Sequence, residues 1–325
     1  MKPTYKANLF ALMLVLTQIL GSKFIAPIIV SLGLSFPVLM VITQILFLFV
    51  PTIIYFIVTK ENVVDTLSLK KLSLKDILMV MVIALFCQPV AWFLSYTSGL
   101  FFPNKVAEVF KVVSGLPYMV LLFVMAVVPA VFEEITIRGI VLRGYKEKSI
   151  LKAGLFTGLI FGMLHLNAQQ FLYAAALGVL LAYLVRITGS IYSSILCHFL
   201  FNGFQVTMSK LMQLFAEMMN KDIAAAQSSA ADIPIAAKLY TFFILAVLAA
   251  VFTTFIVMII KKMRREKGIM LSVESSSLEE EKLNYLSRDY ENINNDNYMD
   301  NPLNTPFILN IVIFVLMMFL QNLSY

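Results

Sequence analysis

The chain has 325 residues but only two histidines, His165 and His198, and both fall in apolar stretches. Shortly before the first stands "FEEITIRG" (residues 132–139), directly after "YMVLLFVMAVVPAV", a run without a single charge. Two carboxylates and a guanidinium at the rim of such a run are costly, and ionisable groups there are candidates for function. The helical repeat sorts them. Arg138 is four residues after Glu134, so the two share a helix face and can pair. Glu133 points about 100° away and is left over, as suits a general base. Asn202, four residues after His198, shares its face. Pro129, four before Glu133, should bend the helix and free a carbonyl. A carboxylate, two imidazoles and an amide form a hydrolytic set. Glu133 could take a proton from water while His165 orients it, and His198 and Asn202 could donate hydrogen bonds to a tetrahedral oxyanion. Equally, Glu133, His165 and His198 are a zinc ligand set, with metal-bound water as nucleophile. No HExxH occurs, so spacing alone does not choose between the two.

These residues need helices in a membrane to hold them. The chain is 60% hydrophobic and 14% charged, with a mean hydropathy of +0.87, whereas a soluble domain is nearer 25% charged. Apolar runs of roughly 18–25 residues recur, each able to cross a hydrocarbon core of about 30 Å. The fold class is therefore all-α: a polytopic transmembrane helical bundle of about 8–9 spans, with the site inside it. A β-barrel would show alternating strands of about ten residues, which are absent. Spans are expected at 8–31, 36–58, 77–99, 117–143, 150–167, 170–187, 190–207, 239–260 and 306–322, the last being the least secure. Alternate connections carry most of the Lys and Arg, from Lys2 and Lys6 to Arg264 and Lys267. This asymmetry predicts a multi-pass cell-membrane protein with a cytoplasmic N-terminus. The net charge of +6 reads as topology rather than nucleic-acid binding. Cys87 and Cys197 lie in apolar spans and read as core residues. Lys23, well inside the first span, is given no role.

The order of elements suggests five regions. Residues 1–116 hold N-terminal transmembrane helices and 117–207 the chemistry-bearing helices. An outer loop and a span occupy 208–262, a polar acidic disordered linker 263–303, and a last apolar segment 304–325.

"EEITIRG", "FGMLH" and "HFLFN", in that order on separate helices, resemble the motifs EExxxR, FxxxH and HxxxN of the CPBP family. Those are the intramembrane CAAX-protease and bacteriocin-processing proteins, also called Abi or type II CAAX prenyl endopeptidases. The likeness covers about residues 117–206 and includes "LGVLLAYLVRITGSIYSSILCHFLFN". Ile137 departs from the Phe common in bacterial relatives, a position that affects packing. The resemblance implies an endopeptidase acting on a membrane-associated protein or peptide: a CAAX protein, a bacteriocin or leader peptide, or a membrane-protein segment. It makes Glu133 the catalytic base, with Glu134, Arg138 and Phe161 in support. His165 would activate water, and His198 with Asn202 would hold the oxyanion. Family members have been described both as metalloproteases and as metal-free glutamate enzymes. The metal-free version is favoured here because pairing occupies the second carboxylate. A catalytically silent scaffold, a bacteriocin-immunity protein and a transporter are the competing readings.

Overall fold

The computed structural model describes residues 1–104, 108–109, 112–113, 115–219, 234–269 and 300–323. Most of the expected acidic linker lies outside the described residues. The fold is an all-α helical bundle with a helix at every expected span. These are α1 (Pro3–Ser31), α2 (Phe36–Thr59), α3 (Leu74–Gly99), α4 (Tyr118–Gly144), α5 (Ile150–Leu164), α6 (Ala168–Thr188), α7 (Ile191–Met218), α8 (Ile235–Glu266) and α9 (Thr305–Leu323). Six of them, α1–α4, α6 and α8, are long and apolar enough to cross a membrane. α5 and α9 are shorter apolar helices, and α7 runs well past the expected end at 207.

Polar side chains tie one end of each helix to a common face. At the start of α1, Thr4 bonds Asp300, just before α9, and Lys6 pairs with Glu61, just after α2. At the start of α3, Asp76 lies 2.8 Å from Lys267, which follows α8. Near the end of α6, Arg186 donates to the carbonyls of Tyr145 and Lys148, between α4 and α5, at 3.0 and 2.9 Å. The amide of Ile191, at the start of α7, reaches Ser68 O at 3.1 Å. The helices therefore alternate in direction, and the connections expected to be basic share this face. α9 starts from it too and runs beside α1. Asn8 donates to Pro302 O and Asn304 Oδ1 at 3.0 and 2.9 Å. Phe307 and Phe314 pack on Phe156 and Phe171.

Three helices widen for a common reason. A π-helical stretch occupies Gly21–Ile25 in α1, Ile45–Phe49 in α2 and Phe123–Val127 in α4. In each case a proline follows two residues beyond: Pro27, Pro51 and Pro129. Proline cannot donate to the preceding turn and its ring crowds the carbonyl there, so the turn takes in an extra residue. The expected disturbance at Pro129 thus takes the form of a π-bulge. Pro89, by contrast, sits in unbroken α-helix. α4 has a second π stretch, Ile135–Val141, so the acidic pair lies on the short α-helical segment between two widened ones.

α5 and α6 pack with their backbones close together. Gly154, Gly158 and Gly162 recur at intervals of four along α5. A Cβ at Gly158 would lie 2.7 Å from Val179 N and 2.8 Å from Ala175 O, and one at Gly178 would lie 2.8 Å from Gly158 Cα. Small residues at this spacing let membrane helices approach backbone to backbone.

Candidate active site

Arg138 lies 2% exposed in the centre of the bundle. Its Nη1 donates to Glu134 Oε1 at 2.9 Å, the i,i+4 pair expected from the sequence. Its Nη2 reaches the carbonyl of Gly178 at 3.3 Å. The guanidinium also lies over the Phe161 ring, 4.2 Å from the centroid. A buried guanidinium needs all these partners, because charge is tolerated in an apolar interior only when paired and hydrogen-bonded.

Glu134 does more than neutralise Arg138. The same Oε1 lies 2.9 Å from His198 Nδ1. A carboxylate can only accept, so His198 Nδ1 carries a proton and its Nε2 points away from Glu134. That Nε2 lies 3.9 Å from Glu133 Oε2, too far for a direct hydrogen bond but a separation one water can bridge. His165 is oriented in the same way. Its Nδ1 donates to the Phe161 carbonyl at 2.8 Å, which leaves Nε2 available. Phe161 stands edge-on between the two imidazoles, with centroids 4.9 Å from His165 and 5.8 Å from His198. One phenyl ring thus touches both histidines and the guanidinium, which gives a physical reason for a Phe four residues before His165.

The sequence expectation placed His165 inside a helix. The structure puts it at the C-cap of α5, followed by Leu166 with φ +48° and Asn167, whose side chain accepts from Gln169 N to start α6. Irregular backbone at membrane depth is tolerated where it is enclosed by protein or lines a water-filled cavity. Such a cavity is present. Its volume is about 390 Å³, within the range of ligand clefts. Glu133, Thr136, Phe161 and His165 line one side, and residues of α1 and α2 the other. Glu133 is the exposed member of the acidic pair, its side chain 17% accessible where that of Glu134 is fully enclosed. His198 and Asn202 do not line the cavity; His198 is buried behind Glu133, and Asn202 is half-buried one turn further along α7.

The structure therefore brings Glu133, Glu134, Arg138, Phe161, His165 and His198 into one cluster on three helices, α4, α5 and α7, with Asn202 one turn further along α7. Among the described residues no group of three His, Cys, Asp or Glu side chains is disposed to hold a metal ion, so the zinc ligand set of Glu133, His165 and His198 does not fit as it stands. Cys87 and Cys197 are free and buried, and take no part. Sequence reading missed the far wall of the cavity, formed by Gln18, Ser22, Thr43 and Gln44. The prolines that widen both helices were visible, but nothing in one sequence showed that those turns face Glu133.

Comparison with known proteins bears on the same helices. Residues 115–204 match the family model described as type II CAAX prenyl endopeptidase Rce1-like. Over these residues the chain is similar to that family of membrane proteases. The matched segment runs from the start of α4 to beyond Asn202 and holds every residue of the cluster. A curated relative, "Putative membrane peptidase YdiL" of Bacillus subtilis (strain 168), is 30% identical over 129 residues, 39% of this chain. The chain spans about half (52%) of that relative's length. No solved structure matches.

Proposed function

We propose that the protein is an intramembrane endopeptidase that hydrolyses a peptide bond of a membrane-associated protein or peptide, with Glu133 as general base. One observation carries this reading. The two adjacent carboxylates are divided by their partners: Glu134 is taken up by Arg138 and His198, and Glu133 is left facing a cavity beside His165. A carboxylate without a direct hydrogen-bond partner among the described residues, next to an oriented imidazole and in a space large enough for water, is an arrangement for activating that water.

In the proposed reaction, water bound between Glu133 and His165 Nε2 gives a proton to Glu133 as its oxygen attacks the scissile carbonyl. The tetrahedral oxyanion then accepts hydrogen bonds from His198 Nε2 and the Asn202 amide. For Nε2 to donate, His198 must be charged. With His198 charged, Glu133, Glu134, Arg138 and His198 sum to zero, the less costly state in an apolar interior. Glu133 finally passes its proton to the leaving amine, and the new carboxyl terminus departs. Every step uses groups of this chain. The His198 and Asn202 assignment needs the substrate carbonyl, or these side chains, to approach from the Glu133 side of the cavity.

The face that gathers the basic connections is taken as cytoplasmic, by the positive-inside rule. Substrates in keeping with this reading are CAAX-type termini, leader peptides and loosened membrane-protein segments. The test compares the membrane peptidome of cells carrying the wild type with cells carrying Glu133→Ala or His165→Ala. Peptides that appear only with the wild type, while all three proteins accumulate equally in the membrane, support the proposal and identify the substrate. Identical peptidomes refute it.

A further inference from the structure

The wall of the cavity opposite Glu133 contains four polar side chains that the proposed chemistry does not use. Ser22 and Thr43 satisfy their hydroxyls locally, donating to Ile19 O at 3.0 Å and Met40 O at 2.9 Å. Gln18 on α1 and Gln44 on α2 differ. Neither amide makes a hydrogen bond among the described residues, and Gln44 Oε1 is buried without a partner. Leaving a buried polar group unpaired costs about 1–3 kcal/mol, so such a group calls for an explanation. The two side chains come from the turns next to the π stretches of their helices. Close packing of the Phe47 ring on Gly21 fixes those turns against each other.

We propose that Gln18 and Gln44 form a subsite for the backbone of an extended substrate peptide. This rests on the endopeptidase reading, and a further physical requirement supports it. A peptide bond can be attacked only after it leaves a helix, and in an apolar cavity each N–H and C=O thereby freed needs a new partner. A side-chain amide offers both donors and an acceptor, the complement of a peptide unit. One such amide on each of two facing helices can hold one extended segment against Glu133. Around them Phe47, Leu48, Leu164 and Leu166 provide apolar surface, so the side chains flanking the scissile bond are expected to be apolar.

Binding tests this without turnover. The Glu133→Gln variant, in liposomes, is given an apolar ten-residue peptide with one photoreactive leucine, with and without excess unlabelled peptide. Competable labelling is expected within residues 18–26 and 43–48. It should fall about tenfold when Gln18→Leu and Gln44→Leu are added, the effect of losing roughly one or two net hydrogen bonds, and recover in part with Gln44→Asn. Thermal unfolding separates recognition from structure. Because the glutamines are unpaired, the double Leu variant is expected to be at least as stable as its parent. Competable labelling unchanged in the double variant, labelling confined to other helices such as α8, or a clear loss of stability overturns the proposal. Labelling as expected in a protein whose wild type cleaves nothing would count against the endopeptidase reading alone.

Discussion

Removing Arg138 should be among the most damaging single changes to the fold. Arg138→Met keeps an unbranched apolar stem but deletes the guanidinium, and with it the hydrogen bonds to Glu134 and Gly178 O and the contact of charge with the Phe161 ring. It also leaves Glu134 fully enclosed with the His198 imidazole as its remaining ring partner. Breaking a buried ion pair by deleting one member costs about 3–5 kcal/mol. For a chain of this size that corresponds to a drop of roughly 4–7 °C in Tm. The double variant Glu134→Leu/Arg138→Met removes both charges and should recover most of that loss, since replacing a whole buried pair by apolar side chains is close to neutral. Activity should not recover. His198 Nδ1 has then lost its acceptor, and misplacing a group at the reacting centre by about 1 Å costs on the order of a hundredfold in rate. Thermal unfolding in detergent, with turnover measured on the same samples, gives the double-mutant cycle. An Arg138→Met variant within 1 kcal/mol of wild type, or a double variant destabilised by the sum of the two singles, would refute this account of the cluster.

Three other outcomes are expected. Gly158→Val pushes a side chain into the backbone of α6 at Val179 and Ala175, so it should cost at least about 1–3 kcal/mol and lower turnover by moving His165, as unfolding and activity measurements will show. Burial alone would raise the Glu61 carboxyl, but hydrogen bonds from Lys6 and Tyr55 and the Lys6 charge outweigh it and hold it below the ordinary range. Its contribution to stability is therefore fully present above the unfolded value of about 4.3 and lost as pH falls through the lower folded value, a component that Glu61→Gln should lack in unfolding curves between about pH 3 and 6. In intact cells, an impermeant thiol reagent should reach Ser35→Cys, in the exposed connection between α1 and α2, and should reach Lys71→Cys only after permeabilisation; the reverse pattern would invert the membrane orientation proposed here.

The bundle was legible because a membrane imposes length and hydropathy on its helices, and a helix occurs at each expected span. Glu134–Arg138 was legible for a similarly local reason, the i,i+4 repeat. What failed to show were contacts between distant elements. His198 binds Glu134 across 64 positions, so the carboxylate read as a partner of Arg138 alone in fact holds an imidazole as well. His165 was read as helical because its neighbours are apolar, yet the chain turns at Leu166, a residue with no turn propensity to signal it. The glycine repeat of α5 was visible and would have marked its face toward α6. The wall formed by Gln18 and Gln44 was not, because a polar residue in a span does not reveal what it faces.

The central claim is that Glu133 activates water to cut a peptide bond within the bundle. Its most direct test is oxygen transfer from labelled water. Wild-type protein and Glu133→Gln are reconstituted with a membrane extract from cells lacking the protein, in water enriched in oxygen-18, and new carboxyl termini are read by mass spectrometry. The account predicts termini with one oxygen-18 atom in the wild-type sample and none of these in the variant. The same labelled termini at the same rate from Glu133→Gln would contradict it.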